Sequence, residues 1–133
     1  MFSDAPAVAL TGVALSGALG AFGVILSAVG AHADPNPVVV TAAHFLLVNA
    51  LALLGLGALL MAAPGLPGFY GFALAGALLF LGAALFCGDL SARAFLGARL
   101  FPMAAPTGGA LMISGWILVA GAAIYALARR NHG

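Results

Sequence analysis

The chain has 133 residues, of which 65% are hydrophobic and only 5% are charged. A soluble globular domain carries about 25% charged residues, so this composition cannot cover a water-exposed surface. The 4 Lys and Arg residues and the net charge of +1 exclude a nucleic-acid footprint. We therefore predict one integral membrane domain over residues 1–133, with the lipid bilayer as its partner and no nucleic acid.

The first apolar run, residues 7–31, is long enough to cross a hydrocarbon core of about 30 Å as a helix. The sequence AHA at 31–33 resembles a signal-peptide cleavage site. However, residues 1–6 carry no positive charge, and the run exceeds the usual apolar region of about 7–15 residues. We expect an uncleaved first span.

A stripe of small residues runs along this first span. Glycine and serine recur at spacings of three and four, which places them on one face of a helix. The members of this small-residue stripe are Gly12, Ser16, Gly20, Gly23, Ser27 and Gly30. Such a face lets another helix approach closely in lipid, either within the chain or across an oligomer. The alternative is that a chain rich in alanine and glycine produces this spacing by chance.

Two proline-containing segments separate the next spans, and the first, ADPNP at 33–37, is predicted to form a tight polar turn. Asn36 is predicted to cap a helix that begins at Pro37, because the missing N–H of proline is unpaired there anyway. A second span then covers residues 38–63. The short PGLPG connection at 64–68 predicts an antiparallel neighbour, the third span at 69–88.

The longest polar interruption follows the third span. Pro102 and Pro106 argue against one continuous helix through it. Residues 93–99 have a basic and an apolar face, as expected of a short segment lying in the membrane interface. The predicted fold is therefore an all-α, four-transmembrane-helix bundle with an ordered, partly helical interfacial segment between helices 3 and 4.

The fourth span is predicted at residues 108–128, with Thr107 as its cap. Gly108 and Gly109 at its start leave room for close approach of another backbone. Four spans place both termini on one side of the membrane.

Counting positive charges does not decide the orientation. Arg129 and Arg130 lie on the terminal side, whereas Arg93 and Arg99 lie on the other. We favour cytoplasmic termini because the Arg129–Arg130 pair directly follows a span.

Two polar residues lie inside the second span. Moving such groups out of water is costly, so their presence at membrane depth suggests a function. His44 and Asn49 are separated by about 140° around a helix and do not share a face. Neutral His44 has the chemistry to ligate haem or a metal or to relay a proton. The alternative is a histidine that bonds a neighbouring helix or reaches the interface. For Asn49 we expect an interhelical hydrogen bond, with ligand contact as the alternative.

The end of the third span holds a second group of polar residues. Asp89 and Arg93 have the i,i+4 spacing of an ion pair, which would close the helix end at the interface. The functional alternative is an ion or headgroup site assisted by Arg99. Cys87 is alone in the chain and is interpreted as a packing residue, with lipidation or redox chemistry as the alternative.

Several classes of activity lack their sequence signature. No acidic residue lies inside an apolar run away from its ends, which disfavours a proton-coupled exporter with a central carboxylate. There is no C-x-x-C pair, no phosphate-binding loop and no Ser/His/Asp set in the sequence. We therefore predict no enzyme and no cofactor.

Four motifs, in matching order along the chain, carry a family resemblance. They are SAVGAHA at 27–33, TAAHFLLVNALALL at 41–54, FCGDLS at 86–91, and APTGG at 105–109 leading to GW at 115–116. The chain thereby resembles the uncharacterised YgdD/YwdK family of small four-span membrane proteins (domain of unknown function 423). That family typically shows GAFGAHGL, TAVQYQMYHALALL, FSGSLY and TPIGG before GW. The resemblance implies a multi-pass protein of the bacterial inner membrane without an established activity.

The chain departs from this family pattern at its polar positions. The family histidine before ALALL is Asn49 here, and the usual glutamine is His44. Asp89 replaces the second serine of FSGS, and His32 alone aligns with a family histidine. Any chemistry that depends on the second-span histidine would be lost in this chain unless His44 supplies it from another face.

Three functions remain open at this point. The preferred hypothesis is a non-enzymatic helical bundle that forms a homo-oligomer or docks on a larger membrane complex. The second is a transporter or channel for a small solute or ion near Asp89, Arg93 and Arg99. The third is a haem or metal binder through His44 and His32.

Overall fold

A computed structural model gives the architecture of residues 4–33 and 36–132. The described chain forms four helices, α1 (Ala5–His32), α2 (Pro37–Ala62), α3 (Phe69–Leu96) and α4 (Ala104–Asn131). Each helix is long and apolar enough to cross a membrane. The chain is therefore an all-α, multi-pass membrane protein, as the sequence predicts.

The start of α2 has the predicted cap. The Asn36 side chain accepts a hydrogen bond of 2.9 Å from the backbone N–H of Val38, and Pro37 is the first helical residue. This bond satisfies one of the N–H groups that a helix leaves unpaired at its start. Asp34 and Pro35, which belong to the turn predicted before this cap, lie outside the described residues.

The third helix is longer than predicted. It was expected to end at residue 88, but α3 continues to Leu96. Gly88 is tolerated inside the helix, and the Asp89–Arg93 pair supports the added turns. The helix stops at Gly97, whose φ of +68° lies in the left-handed region that glycine adopts without steric cost.

The fourth helix begins earlier than predicted, and the role assigned to Thr107 was wrong. The residue that precedes α4 is Met103 (φ +69°), and no side chain caps the helix start. Thr107 lies within the first turn, where its N–H bonds the carbonyl of Met103 at 3.0 Å. Pro106 also fits in this turn because the first N–H groups of a helix have no intrahelical partner.

The connection between α3 and α4 contains no separate interfacial helix. The first four residues of the predicted 93–99 segment form the last turn of α3, and 97–103 are irregular or turn-like. Leu100 and Phe101 nevertheless expose about half of their side chains (52% and 48%) at this end of the bundle. The segment therefore offers an apolar surface without helical order.

The four helices pack mainly along the chain order. α1 packs on α2, α2 on α3 and α3 on α4, with a small contact between α1 and α3. Among the described residues, no Cα of α4 comes within 8 Å of a Cα in α1 or α2. The bundle therefore leaves grooves between α1 and α3 and between α2 and α4.

Alanine and leucine side chains fill much of the seams, while other large apolar residues face outward. Ala83 and Leu79 are fully buried, and Cys87 lies in the same core as a packing residue. In contrast, Leu51 and Ile117 are about 70% and 68% exposed. Such an outer face suits hydrocarbon, because lipid tails are as apolar as these side chains.

Candidate functional site

The end of α3 and the following connection meet at what we call the Asp89 corner, formed by Asp89, Arg93 and Leu100. Asp89 is fully buried. Its Oδ2 accepts a hydrogen bond of 2.8 Å from Nε of Arg93 and a second bond from the same guanidinium. Its Oδ1 accepts a bond of 2.9 Å from the backbone N–H of Leu100.

These bonds give the Asp89 corner a structural role. A buried carboxylate is stable only when it is paired and hydrogen-bonded, and both oxygens of Asp89 have partners here. The bond to Leu100 fastens the connection to the end of α3. Arg99, the third member of the predicted ion or headgroup site, is exposed in the connection. The predicted ion pair is thus present, and its carboxylate is already occupied.

His32 and His44 lie at this same end of the bundle and are exposed. His32 is in the last turn of α1, and the His44 ring meets Phe45 edge to face at 6.1 Å. A shallow groove of about 340 Å³ between α1 and α2 is lined by His44 and Ser27 among others. The described residues contain no group of three His, Cys, Asp or Glu side chains able to hold a metal ion.

Asn49 has a different environment from His44, as their angular separation predicts. It lies in the middle of α2 and is only 1% exposed. Its amide nitrogen donates to the carbonyl of Phe45 at 2.8 Å and to Sδ of Met112 on α4 at 3.3 Å. Its Oδ1 has no hydrogen-bond partner. Asn49 therefore makes an interhelical contact but keeps a buried acceptor unpaired.

We call the surroundings of this amide the Asn49 groove. It is a cavity of about 260 Å³ between α2 and α4, with Phe86 of α3 at its side. Its lining comprises Phe45, Val48, Asn49, Phe86, Gly109, Met112, Ile113 and Trp116. Phe45 and Phe86 meet in a T-shaped contact of 5.0 Å between ring centroids. The groove is thus apolar and aromatic, with one amide.

Most of the small-residue stripe faces α2. Ser16 donates a buried hydrogen bond of 2.7 Å to the carbonyl of Ala50. An added Cβ at Gly23 would lie 2.8 Å from Cγ of Leu47, so the two helices meet closely there.

Other stripe residues have looser surroundings. An added Cβ at Gly20 or Gly30 would meet α2 side chains at 3.7 or 3.4 Å, which is ordinary contact. A Cβ at Gly12 would meet nothing within 4 Å, and Ser27 is exposed. The stripe therefore packs on α2 within the chain over most of its length, but it is not packed at Gly12 and Ser27.

The adjacent glycines at the start of α4 have different environments. A Cβ at Gly108 would lie 2.6 Å from the backbone nitrogen of Phe86 and 2.8 Å from the carbonyl oxygen of Gly82. A Cβ at Gly109 would meet nothing within 4 Å, although this residue lines the Asn49 groove. Gly108 permits α3 and α4 to touch, whereas Gly109 leaves the groove open.

A family model described as "Protein of unknown function (DUF423)" matches residues 16–109. The chain belongs to the DUF423 family. The match extends from the small-residue stripe through the Asp89 corner to Gly109, and it agrees with the resemblance found in the sequence motifs. No curated protein and no solved structure matches the chain.

The motifs shared with the DUF423 family contain several groove residues that the sequence analysis did not select. Phe45, Phe86 and Trp116 lie within three of the quoted motifs, but local spacing gives no sign that they surround one amide. Met112 lies between the APTGG and GW parts of the fourth motif, and no polar signal marks it in the sequence. Only the packing of the helices brings these residues together.

Proposed function

We propose that the protein is a non-enzymatic membrane component that works by associating with further transmembrane helices, in the first place those of a second copy of the chain. The position of Gly12 supports this proposal. It belongs to the small-residue stripe, yet an added Cβ there would contact nothing, unlike at Gly23. In lipid, helices associate through such close-packing small residues rather than through a hydrophobic drive.

Gly12 lines a groove suited to a helix. The groove lies between α1 and α3, has a volume of about 350 Å³ and includes Ala73 and Gly76 on the α3 side. A second copy offers a matching surface, because Gly17 and Gly55 are exposed and open to close approach. The proposed association thus joins small-residue faces of two identical chains.

Cysteine cross-linking tests this association. In a Cys87→Ala background, chains with Gly12→Cys mixed with chains with Gly17→Cys are expected to form a disulfide-linked dimer in membranes after mild oxidation. Gly121→Cys on α4 is the matched control, because Gly121 is equally open but lies outside the groove. An adduct with another protein would make the chain an accessory component rather than a homo-oligomer. A strict monomer without any adduct would contradict the proposal.

Location and orientation are part of the same proposal. The family resemblance favours the bacterial inner membrane, and we propose cytoplasmic termini because Arg129 and Arg130 occupy the last turn of α4. Arg93 at the opposite end is already paired with Asp89. A C-terminal fusion that is active only in the cytoplasm is expected to report activity; a periplasmic reporter would be active if the orientation were reversed.

The two other functions receive less support from the geometry. An ion or small-solute pathway at Asp89 would have to displace Arg93 and Leu100 from its carboxylate. Solute leak through liposomes containing the protein would favour that function. A haem or metal site at His32 and His44 would lie at an exposed end of the bundle; a Soret band or bound metal in the purified protein would favour it.

A further inference from the structure

The Asn49 groove carries an inference that is independent of helix association. We infer that it is a binding site for a membrane-soluble molecule with a flat ring and one hydrogen-bond donor, such as a phenol. The ring would lie among Phe45, Phe86 and Trp116, and its hydroxyl would donate to Oδ1 of Asn49. The only other N–H donor among the lining side chains is the indole of Trp116, which does not bond Oδ1 of Asn49.

The unpaired acceptor is the first support for this site. A buried polar group without a hydrogen bond is costly, and the bilayer core offers no water to satisfy it. The bond from the Asn49 amide nitrogen to the Phe45 carbonyl fixes the amide orientation even when Met112 moves, so the oxygen stays free. A ligand that brings one donor supplies the missing bond.

Met112 gives the donor a way to reach this oxygen. Oδ1 has almost no exposed surface, and the Met112 thioether lies against the same amide. Methionine has three rotatable bonds and adapts to new neighbours at low cost. A shift of this side chain toward α4 would open the oxygen to the cavity without moving a backbone.

The size and lining of the groove set the class of ligand. A dry cavity of about 150 Å³ lined by Leu, Ile and Phe is large enough to bind benzene. The Asn49 groove, at about 260 Å³, therefore has room for a substituted or fused ring. Aromatic side chains favour edge-to-face and offset contacts with such a ring. Ile113 and Trp116 are 64% and 47% exposed, so a ligand can enter sideways from the lipid.

Gly109 is the second support. Its neighbour Gly108 permits the contact between α3 and α4, but an added Cβ at Gly109 would meet nothing within 4 Å. The absence of a side chain at this position keeps the groove open rather than letting two described helices meet. Filling this position therefore tests the site without disturbing the packing that Gly108 supports.

Quenching of Trp116 provides the measurement, because it is the only tryptophan of the chain. The protein in nanodiscs would be titrated with 4-bromophenol and with 4-bromoanisole, whose bromine quenches a tryptophan at contact distance. The anisole lacks the donor and enters lipid more readily than the phenol. We expect saturable quenching with about tenfold tighter apparent binding of the phenol, equivalent to about 1.4 kcal/mol.

Three variants separate the site from simple partitioning. Asn49→Leu is expected to remove the preference for the phenol, and Gly109→Leu to remove saturable quenching by both probes. Gly121→Leu is the matched control; it adds the same side chain to an open glycine of α4 outside the groove and is expected to leave both titrations unchanged. The variants should retain their far-UV circular dichroism.

Each contrary result has a definite meaning. Equal binding of the two probes to the natural chain, or unchanged saturable quenching in Gly109→Leu, would overturn the site in favour of non-specific lipid partitioning. If Gly109→Leu instead dissociates an oligomer of the natural chain, a helix of a second copy occupies the groove and the small-molecule site is wrong. The Gly12→Cys cross-link lies in the other groove and is unaffected by either result.

Discussion

The Asp89 corner and the Asn49 groove each contain a buried polar side chain, but only one of these side chains has all of its oxygens bonded. Asp89 has partners for both oxygens, from a guanidinium and a backbone N–H. Asn49 has partners for its nitrogen alone. The difference teaches that burial does not by itself mark a functional residue in a membrane helix. Whether each buried polar atom has a hydrogen-bond partner distinguishes a structural contact from a candidate binding site.

The largest effect is expected for Asp89→Ala, which removes the carboxylate that holds the α3–α4 connection to the end of α3. It leaves the Arg93 guanidinium and the Leu100 N–H without their partner, and breaking a buried pair costs about 3–5 kcal/mol. Arg93 is 35% exposed and can regain water, so we expect a loss of about 3 kcal/mol in the free energy of unfolding. SDS titration of the protein in mixed micelles would measure it.

The control for this variant is Asp4→Ala, since Asp4 is exposed at the other end of the bundle. Its unfolding free energy is expected to stay within about 0.5 kcal/mol of the natural chain. Equal losses for the two variants would mean that Asp89 does not fasten the connection.

The adjacent glycines of α4 extend the comparison to backbone packing. Gly108→Ala places a Cβ against backbone atoms of α3 that cannot move independently, so we expect a loss of about 2 kcal/mol. Gly109→Ala meets open space and gains helix propensity, so we expect a change of about 0.5–1 kcal/mol in the stabilising direction. The same titration compares both; similar losses would show that the Asn49 groove is closed at Gly109.

A third test concerns the seam between α1 and α2. Ser16→Ala removes the bond to the Ala50 carbonyl and is expected to cost about 1 kcal/mol. Thr11→Ala is the matched control, because the exposed Thr11 hydroxyl bonds only its own helix at Ala7. Thermal unfolding in detergent should separate the two variants; a larger effect at Thr11 would contradict the assignment of this seam.

The smallest effect is expected at Asn49. Asn49→Leu loses two hydrogen bonds but also removes the unpaired oxygen, and replacing a poorly satisfied polar group by an apolar one is nearly neutral. We expect a change within about 1 kcal/mol in the SDS titration. A loss of unfolding free energy as large as that of Asp89→Ala would show that Asn49 also stabilises the fold.

Much of the fold could be predicted from the sequence because it depends on local properties. The four apolar runs and the Asn36 cap depend only on residues that are adjacent in the sequence. The end of α3 and the start of α4 were misplaced because tertiary contacts overrode local signals. Gly88 alone suggests a helix end, whereas in the structure Asp89 lies within α3 and accepts a bond from the N–H of Leu100. Similarly, α4 begins after Met103 in a left-handed conformation and not after Thr107.

The candidate site was less predictable. Asp89 and Arg93 were found because their i,i+4 spacing is a property of one helix. The Asn49 groove requires α2 and α4, which have no Cα atoms within 8 Å of each other among the described residues and meet through side chains such as Asn49 and Met112. The different roles of Gly108 and Gly109 likewise depend on which face of α4 meets α3. No spacing rule within one helix contains that information.

The pair between Asp89 and Arg93 also bears on how this end of the chain crosses the membrane. A single elementary charge that crosses a potential of 100 mV involves about 2.3 kcal/mol. A carboxylate bonded to a guanidinium crosses as a neutral dipole, so of the two arginines near the α3–α4 connection only Arg99 adds to that electrical work. In the proposed orientation with cytoplasmic termini, the α3–α4 connection lies on the opposite side and must be translocated across the membrane. By cancelling the charge of Arg93, Asp89 would thus roughly halve the electrical work of translocating this segment compared with two arginines alone.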